Sequence, residues 1–151
     1  MNINYEIRTS NELGKGIFAL ADILSGAQIW TYKLNENVFE FDEQQCIDYL
    51  ETLPNLSEQQ SFLNYSFGKG EKLCLIKDDG QYMNHAEAPV RNCKTNLLTG
   101  HCYALRKIKA GEQLFEDYAA YSHPSFLYKL LRKYECEPDY YAMPEAIEIE
   151  D

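Results

Sequence analysis

Three short segments, far apart in the chain, concentrate residue types that ligand-binding sites use. They are GKGIFA from Gly14, QYMNHAEAP from Gln81 and AGEQLFEDY from Ala110. Two glycines around one residue allow close approach to the backbone, although such pairs are also common in hairpins. An asparagine offers a donor and an acceptor together, although an Asn–His pair also fits a capped loop. If the three segments serve one site, the fold has to bring them into contact.

Length and composition predict a single packed domain. The chain has 151 residues, of which 45% are hydrophobic and 13% aromatic. A chain of this size buries a sizeable core without a metal or disulfides. The five cysteines are odd in number and include no CxxC pair. Neither a disulfide framework nor a zinc cluster is favoured, so we expect reduced thiols and no metal site.

The charge balance limits the classes of binding partner that we expect. With 24 acidic and 14 basic residues, the net charge is -10. Neutralising phosphates requires clustered Lys and Arg, so we expect no nucleic-acid partner. A basic protein partner fits better, while acidity for solubility alone is the open alternative. The sequence has neither a long apolar run nor a basic, apolar amino terminus, which predicts an intracellular protein without a membrane span or signal peptide.

Short strands and turns dominate the first third of the chain, and a helical insert follows at about residues 40–68. Strands are predicted at residues 3–8, 16–20 and 27–34. In the insert, Asp42 is expected to cap one helix, and Pro54 to end it. Ser57 with Gln60 predicts the capping box of a second helix, which runs to about Tyr65.

The carboxyl-terminal part predicts a terminal helix at about residues 124–135 and an acidic tail at about 144–151. Pro124 fits a first helical turn. The apolar face of this helix would consist of Phe126, Leu127, Leu130, Leu131 and Tyr134.

The order and spacing of the three segments resemble the motifs of SET domains, the S-adenosylmethionine-dependent protein lysine methyltransferases. The resemblance runs from about Tyr5 to Tyr134. It implies a mostly β fold (a β-rich α+β fold) of several small sheets, with a helical insert, a carboxyl-terminal segment threaded through a loop near Asn84, and a terminal helix. The chain resembles a minimal SET domain spanning residues 1–151, without zinc-binding flanks.

The same resemblance implies the cofactor site for S-adenosylmethionine. Lys15 to Phe18 would lie against the methionine part, Asn84 would bind the amino-acid group, and the backbone of His85 would bind adenine. The implied cofactor-binding residues are Gly14, Lys15, Gly16, Ile17, Phe18, Tyr82, Asn84 and His85.

Tyr118 is the catalytic residue that the resemblance implies. Methyl transfer from a sulfonium to an amine is an in-line displacement, and a phenol hydroxyl orients the amine without adding an anion. Tyr32 and Tyr121 are expected to line the substrate channel, with Trp30 as a further candidate, and Tyr140 or Tyr141 could close it. Other tyrosines, such as Tyr65 and Tyr128, are interpreted as packing residues.

The chain departs from the family pattern at three positions. Ala86 and Val90 stand where family members usually have Ser and Asn. Glu116 stands where many have Phe or Tyr, the position that controls how many methyl groups are added. The leading hypothesis is methyl transfer to a lysine of a basic protein such as a histone. One alternative is an inactive SET domain that binds cofactor or peptide, and another is an interaction module that binds no cofactor.

Overall fold

The computed structural model of the chain describes residues 1–10 and 12–136. The predicted acidic tail, together with Tyr140 and Tyr141, lies outside these residues. Among the helices in the described part, none has the length and apolar character needed to cross a membrane.

Short strands and three helices make up the described part of the chain. The strands are β1 (Tyr5–Ser10), β2 (Gly14–Ala19), β3 (Gln28–Thr31), β4 (Val38–Phe41), β5 (Phe67–Lys69), β6 (Lys72–Ile76), β7 (Asn84–His85), β8 (Cys93–Asn96), β9 (His101–Ala104) and β10 (Phe115–Glu116). The α-helices are α1 (Glu43–Thr52), α2 (Leu56–Tyr65) and α3 (Leu127–Lys133). Two 3₁₀ turns cover Asp79–Tyr82 and Tyr118–Ala120.

The strands pair into small sheets, which confirms the predicted β-rich fold. β1 pairs with β2, the order β3-β9-β8 forms a second sheet, and the order β4-β6-β5 forms a third. β7 and β10 form a parallel pair, with Phe115 opposite Asn84 and Glu116 opposite His85. This pair places the second and third sequence segments side by side.

Asn92 holds the other edge of β10. Its backbone N–H donates to the Phe115 carbonyl, its side-chain oxygen accepts from the Phe115 N–H, and its amide donates to the Gln113 carbonyl. Asn92 is 1% exposed, so these bonds satisfy a buried amide. The segment around Phe115 therefore runs between Asn84–His85 on one side and Asn92 on the other.

Two hydrophobic cores support these elements. The sheet core comprises Ile17, Ala19, Ile23, Ile29, Trp30, Val38, Cys74, Met83, Cys93, Cys102, Ala104, Ile108 and Leu114. The helical core comprises Cys46, Leu50, Phe62, Leu63, Leu73, Phe126, Leu127, Leu130, Leu131 and Tyr134. All five apolar residues predicted for the terminal helix are in the helical core.

The caps of the insert agree with the sequence for α1 and differ for α2. Asp42 and Gln45 form a reciprocal capping box at the start of α1. The prediction of Ser57 as the cap of α2 is wrong, because the Asn55 side chain accepts from the Glu58 N–H and α2 begins at Leu56. Asn and Ser cap helices about equally well, so the choice between them depends on where the chain enters the helix.

The terminal helix begins later than predicted. Its first residue is Leu127, and Pro124 lies in the preceding turn, where its carbonyl accepts from the Leu127 N–H.

Candidate functional site

A cleft of about 970 Å³ lies between parts of the molecule that belong to the two cores. Small-molecule sites usually enclose about 300–1,000 Å³, so this cleft has the size of a cofactor site. We call Gly14, Lys15 and residues 80–85 the sheet wall, and residues 60–61 and 64–68 the helical wall. Tyr118, Tyr121 and Glu116 line the cleft between them.

The three sequence segments meet at Gly16. A Cβ on this residue would displace the Gln113 amide and would lie 3.1 Å from Nδ2 of Asn84. Without a Cβ, Asn84 reaches strand β2, where its Nδ2 donates to the Lys15 carbonyl at 3.0 Å. The glycine therefore allows segments that are distant in sequence to pack together.

Gly14 and Lys15 bring backbone and charge to the cleft. Gly14 has a φ of +68°, and no atom lies within 4 Å of the position that a Cβ would take. The Lys15 ammonium lies 5.0 Å from the centre of the Tyr82 ring, which is a cation–π distance. A ligand with a carboxylate would find a positive group at this edge.

Ile17 and Phe18 belong to the same segment but do not line the cleft. Ile17 is fully buried in the sheet core. Phe18 is covered by Arg8, whose guanidinium lies 4.6 Å from the ring centre. Since strand residues alternate between faces, a continuous run of β2 cannot face one ligand.

Tyr118 is held by the second segment. Its backbone N–H donates to Nδ1 of His85 at 2.9 Å, and its hydroxyl donates to the Met83 carbonyl. The rings of His85 and Tyr118 pack with their centres 5.1 Å apart. Because Nδ1 accepts a hydrogen bond, the neutral His85 ring carries its proton on Nε2. The position of the Tyr118 hydroxyl thus depends on residues 83–85.

The buried Glu116 and the partly buried Tyr121 form a hydrogen-bonded pair that lines the cleft. Tyr121 donates to Oε2 of Glu116 at 2.8 Å, and Thr95 donates to Oε1 at 2.6 Å. Glu116 is 8% exposed. Loss of solvent raises the pKa of the Glu116 carboxyl. Loss of solvent also raises the pKa of Tyr121, and the negative charge of Glu116 raises it further.

Tyr32 and Trp30 do not line the cleft, although Tyr32 packs near Phe67 and Trp30 near Gly80, which both line it. The Tyr32 hydroxyl donates to Glu40 at 2.5 Å, and Lys69 lies 4.7 Å from its ring centre. Burial and this bond to Glu40 raise the pKa of Tyr32. Trp30 donates from Nε1 to the Asp78 carboxylate at 3.0 Å. The structure therefore does not bring the expected channel residue Tyr32 to the site.

The sequence analysis missed the helical wall. Tyr65, interpreted as a packing residue, is 58% exposed and lines the cleft. Phe62 and Leu63 point into the helical core, so the polar face of α2 is left for the cleft. The sequence predicted helix α2 but did not predict that its polar face lines the cleft. The other helical-wall residues are Gln60, Ser61, Asn64, Ser66, Phe67 and Gly68.

Neither a metal cluster nor a disulfide is found in the described part of the chain. There, no group of three or more His, Cys, Asp or Glu side chains could hold a metal ion. The five cysteines are free, and four of them are buried.

Comparisons with known proteins give a family and a fold. The family model of the SET domain matches residues 14–119, well over half of the chain. No curated protein matches the sequence significantly. A crystal structure from Plasmodium falciparum, described as that of a histone methyltransferase, is similar with a TM-score of 0.50 and 19% identity, covering 80% of this chain and 100% of that one.

A second similar structure is ctPRC2 in an autoinhibited conformation bound to S-adenosylmethionine. Its TM-score is 0.62 with 19% identity over 89% of this chain. The present chain spans only 17% of that chain's length. At these identities the likeness is one of fold.

Proposed function

Because the chain belongs to the SET domain family, we propose that it is an S-adenosylmethionine-dependent methyltransferase that acts on the ε-amine of a protein lysine. The observation that carries this proposal is the meeting of all three sequence segments beside one cofactor-sized cleft. Tyr118, whose hydroxyl is held on the Met83 carbonyl, lines this cleft.

The residues of the cleft fit the proposed cofactor. S-adenosylmethionine has a carboxylate, an ammonium and an adenine ring. Lys15 can pair with the carboxylate, Asn84 can bond the amino-acid group, and Tyr82 offers an aromatic surface. The open space beside Gly14 leaves room for a ligand against the backbone. When bound, the cofactor would supply a methyl group activated by its sulfonium.

Tyr118 would orient the acceptor amine. A free lysine has a pKa of about 10.4, so the site has to favour its neutral form through loss of solvent or through nearby charges. The His85 ring and the Met83 carbonyl fix Tyr118 at its two ends. A phenol oxygen fixed in this way can accept a hydrogen bond from an N–H of the amine. It thereby aligns the lone pair of the amine without adding an anion to the site.

The proposed substrate is a basic protein, such as one with a histone-like tail, met in the cytoplasm or nucleus. The net charge of -10 supports this partner. Electrostatic attraction would then weaken with salt, since the Debye length falls from about 10 Å at 0.1 M to about 3 Å at 1 M. Turnover at subsaturating substrate should fall over the same range, and equal rates would assign the acidity to solubility.

One experiment tests the function directly. The protein is incubated with labelled S-adenosylmethionine and a panel of basic proteins, and modified lysines are identified by mass spectrometry. Cofactor binding is measured in parallel by calorimetry. Binding without transfer to any protein would favour the inactive SET domain. Absence of cofactor binding would favour an interaction module and refute the proposal.

A further inference from the structure

Glu116 and Tyr121 line both the cleft and a second, smaller cavity. This cavity has a volume of about 60 Å³, and its lining includes Arg91, Lys94 and Thr95. It is large enough for water molecules, since one water needs about 10–15 Å³ of such space. Glu116 and Tyr121, which both spaces share, are joined by a 2.8 Å hydrogen bond.

Glu116 is a buried acid supplied with hydrogen-bond donors. Thr95 and Tyr121 donate to its two oxygens, and the Cys102 thiol lies 3.7 Å from Oε1. Within residues 1–10 and 12–136, no basic side chain forms an ion pair with it. Buried acids are normally paired, because an uncompensated charge is costly away from water. This position therefore favours an arriving cation or proton.

We propose that Glu116 receives the ammonium group of the target lysine and then accepts a proton from this ammonium. The lysine side chain enters through the small cavity, and its ammonium replaces the Tyr121 hydroxyl on Oε2 of Glu116. This inference rests on the proposed methyltransferase function. One N–H bond of the ammonium breaks and an O–H bond forms on Oε2, which leaves a neutral amine and a neutral acid. The amine lone pair then forms a bond to the methyl carbon of S-adenosylmethionine as the C–S bond breaks, and the positive charge passes to the methylated amine.

Burial favours this proton transfer. Loss of solvent raises the pKa of the Glu116 carboxyl, and burial lowers the pKa of a lysine ammonium, so desolvation favours the neutral pair over the ion pair. Arg91 and Lys94 oppose the arrival of an ammonium and favour its loss of a proton, while Asp117 has the opposite effect on both. The titratable and charged groups around Glu116 are Cys93 and Cys102 on the strands, Arg91, Lys94 and Asp117 in the small cavity, and Tyr118, Tyr121 and His123 in the cleft.

A binding experiment tests the ammonium site without requiring turnover. Butylammonium chloride, which has the chemistry of a lysine side chain, is titrated into the parent, Glu116→Gln and Glu87→Gln, with NMR as the readout. Glu87 is exposed, so its variant removes an equal charge outside the site. We expect binding to weaken by about tenfold or more in Glu116→Gln and to stay parental in Glu87→Gln. Equal affinity in the parent and Glu116→Gln would overturn the proposal.

The pH dependence of turnover tests the proton step. At neutral pH, Glu116→Gln should be slower than the parent by about 100-fold or more. Its rate should recover as pH approaches the lysine pKa of about 10.4, because the solution then supplies neutral amine. A parental rate at neutral pH, or a deficit that persists at high pH, would overturn Glu116 as proton acceptor. A parent that neither binds cofactor nor methylates would instead refute the proposed function, while the butylammonium titration still judges the site.

Thermal unfolding shows whether the variant is folded and whether the carboxyl is buried as described. The folded pKa of Glu116 is raised. Its contribution to stability is therefore fully present below the unfolded pKa of about 4.3, and it is lost as pH rises through the folded pKa. Glu116→Gln lacks this loss, so its melting temperature should fall less than that of the parent as pH rises into the alkaline range. An equal fall in both proteins would overturn the proposal.

Discussion

The sheet wall and the helical wall of the cleft differ in what holds their residues in place. On the sheet wall, Asn84 bonds the Lys15 carbonyl and approaches Gly16 so closely that a Cβ would crowd it. On the helical wall, α2 is held from behind by Phe62 and Leu63, and Gln60 donates to the Tyr134 carbonyl. Under the proposed function, we expect the sheet wall to carry the chemistry and the helical wall to give shape and stability.

Leu63→Ala should have the largest effect, and on stability alone. Leu63 is fully buried, and truncating a buried leucine costs about 2–5 kcal/mol. The free energy of unfolding, measured with urea, should fall by this amount while the folded variant keeps its turnover rate. Leu56→Ala on the same helix, where the side chain is 42% exposed, should change stability by about 0.5 kcal/mol or less. A large turnover defect in folded Leu63→Ala would break the comparison.

Tyr118→Phe should show the opposite pattern. Losing an interaction made mainly in the transition state should lower the turnover rate and the kcat/KM ratio together by about 100-fold to 1,000-fold. Cofactor affinity and stability should stay nearly parental. Tyr65→Phe removes the same hydroxyl from the helical wall and should leave turnover close to parental. If Tyr118→Phe methylates at the parental rate, its catalytic role is refuted, and if it cannot bind cofactor, Tyr118 is structural.

Asn84→Ala tests cofactor recognition by the sheet wall. At 100 times its dissociation constant, a ligand stabilises a fold by about 2.7 kcal/mol. Asn84→Ala should lose most of this gain, measured as the thermal shift with S-adenosylmethionine. Asn64→Ala is the matched change on the helical wall and should retain most of it. An equal loss in both variants would mean that the two walls share recognition.

The smallest effect concerns the start of α2. Asn55→Ala should reduce stability by about 1 kcal/mol, because the side chain caps the Glu58 N–H. Ser57→Ala should change it by about 0.5 kcal/mol or less. The free energy of unfolding of each variant, measured by urea denaturation, shows which residue caps α2. A larger loss of stability in Ser57→Ala than in Asn55→Ala would support Ser57 as the cap, as the sequence analysis predicted.

Local features of the fold could be predicted because local rules govern them. Asp42 was predicted as the cap of α1 because a cap is recognised within a few residues, and the buried face of α3 follows from helical spacing. The cap of α2 was missed because Asn55 and Ser57 satisfy the same rule. Tyr32 does not line the cleft, and its hydroxyl meets Glu40 of β4, a contact that strand spacing does not predict.

The sequence by itself determined the three segments, the helices with their apolar faces, and the residue types available for chemistry. These depend on neighbours in the chain, where periodicity and capping operate. Only the tertiary structure decided that Asn84 meets Lys15, that Glu116 is buried against Thr95, and that α2 faces the cleft. Such contacts join residues far apart in sequence, so burial, pKa and cavity shape arise only when separate sheets and helices pack together.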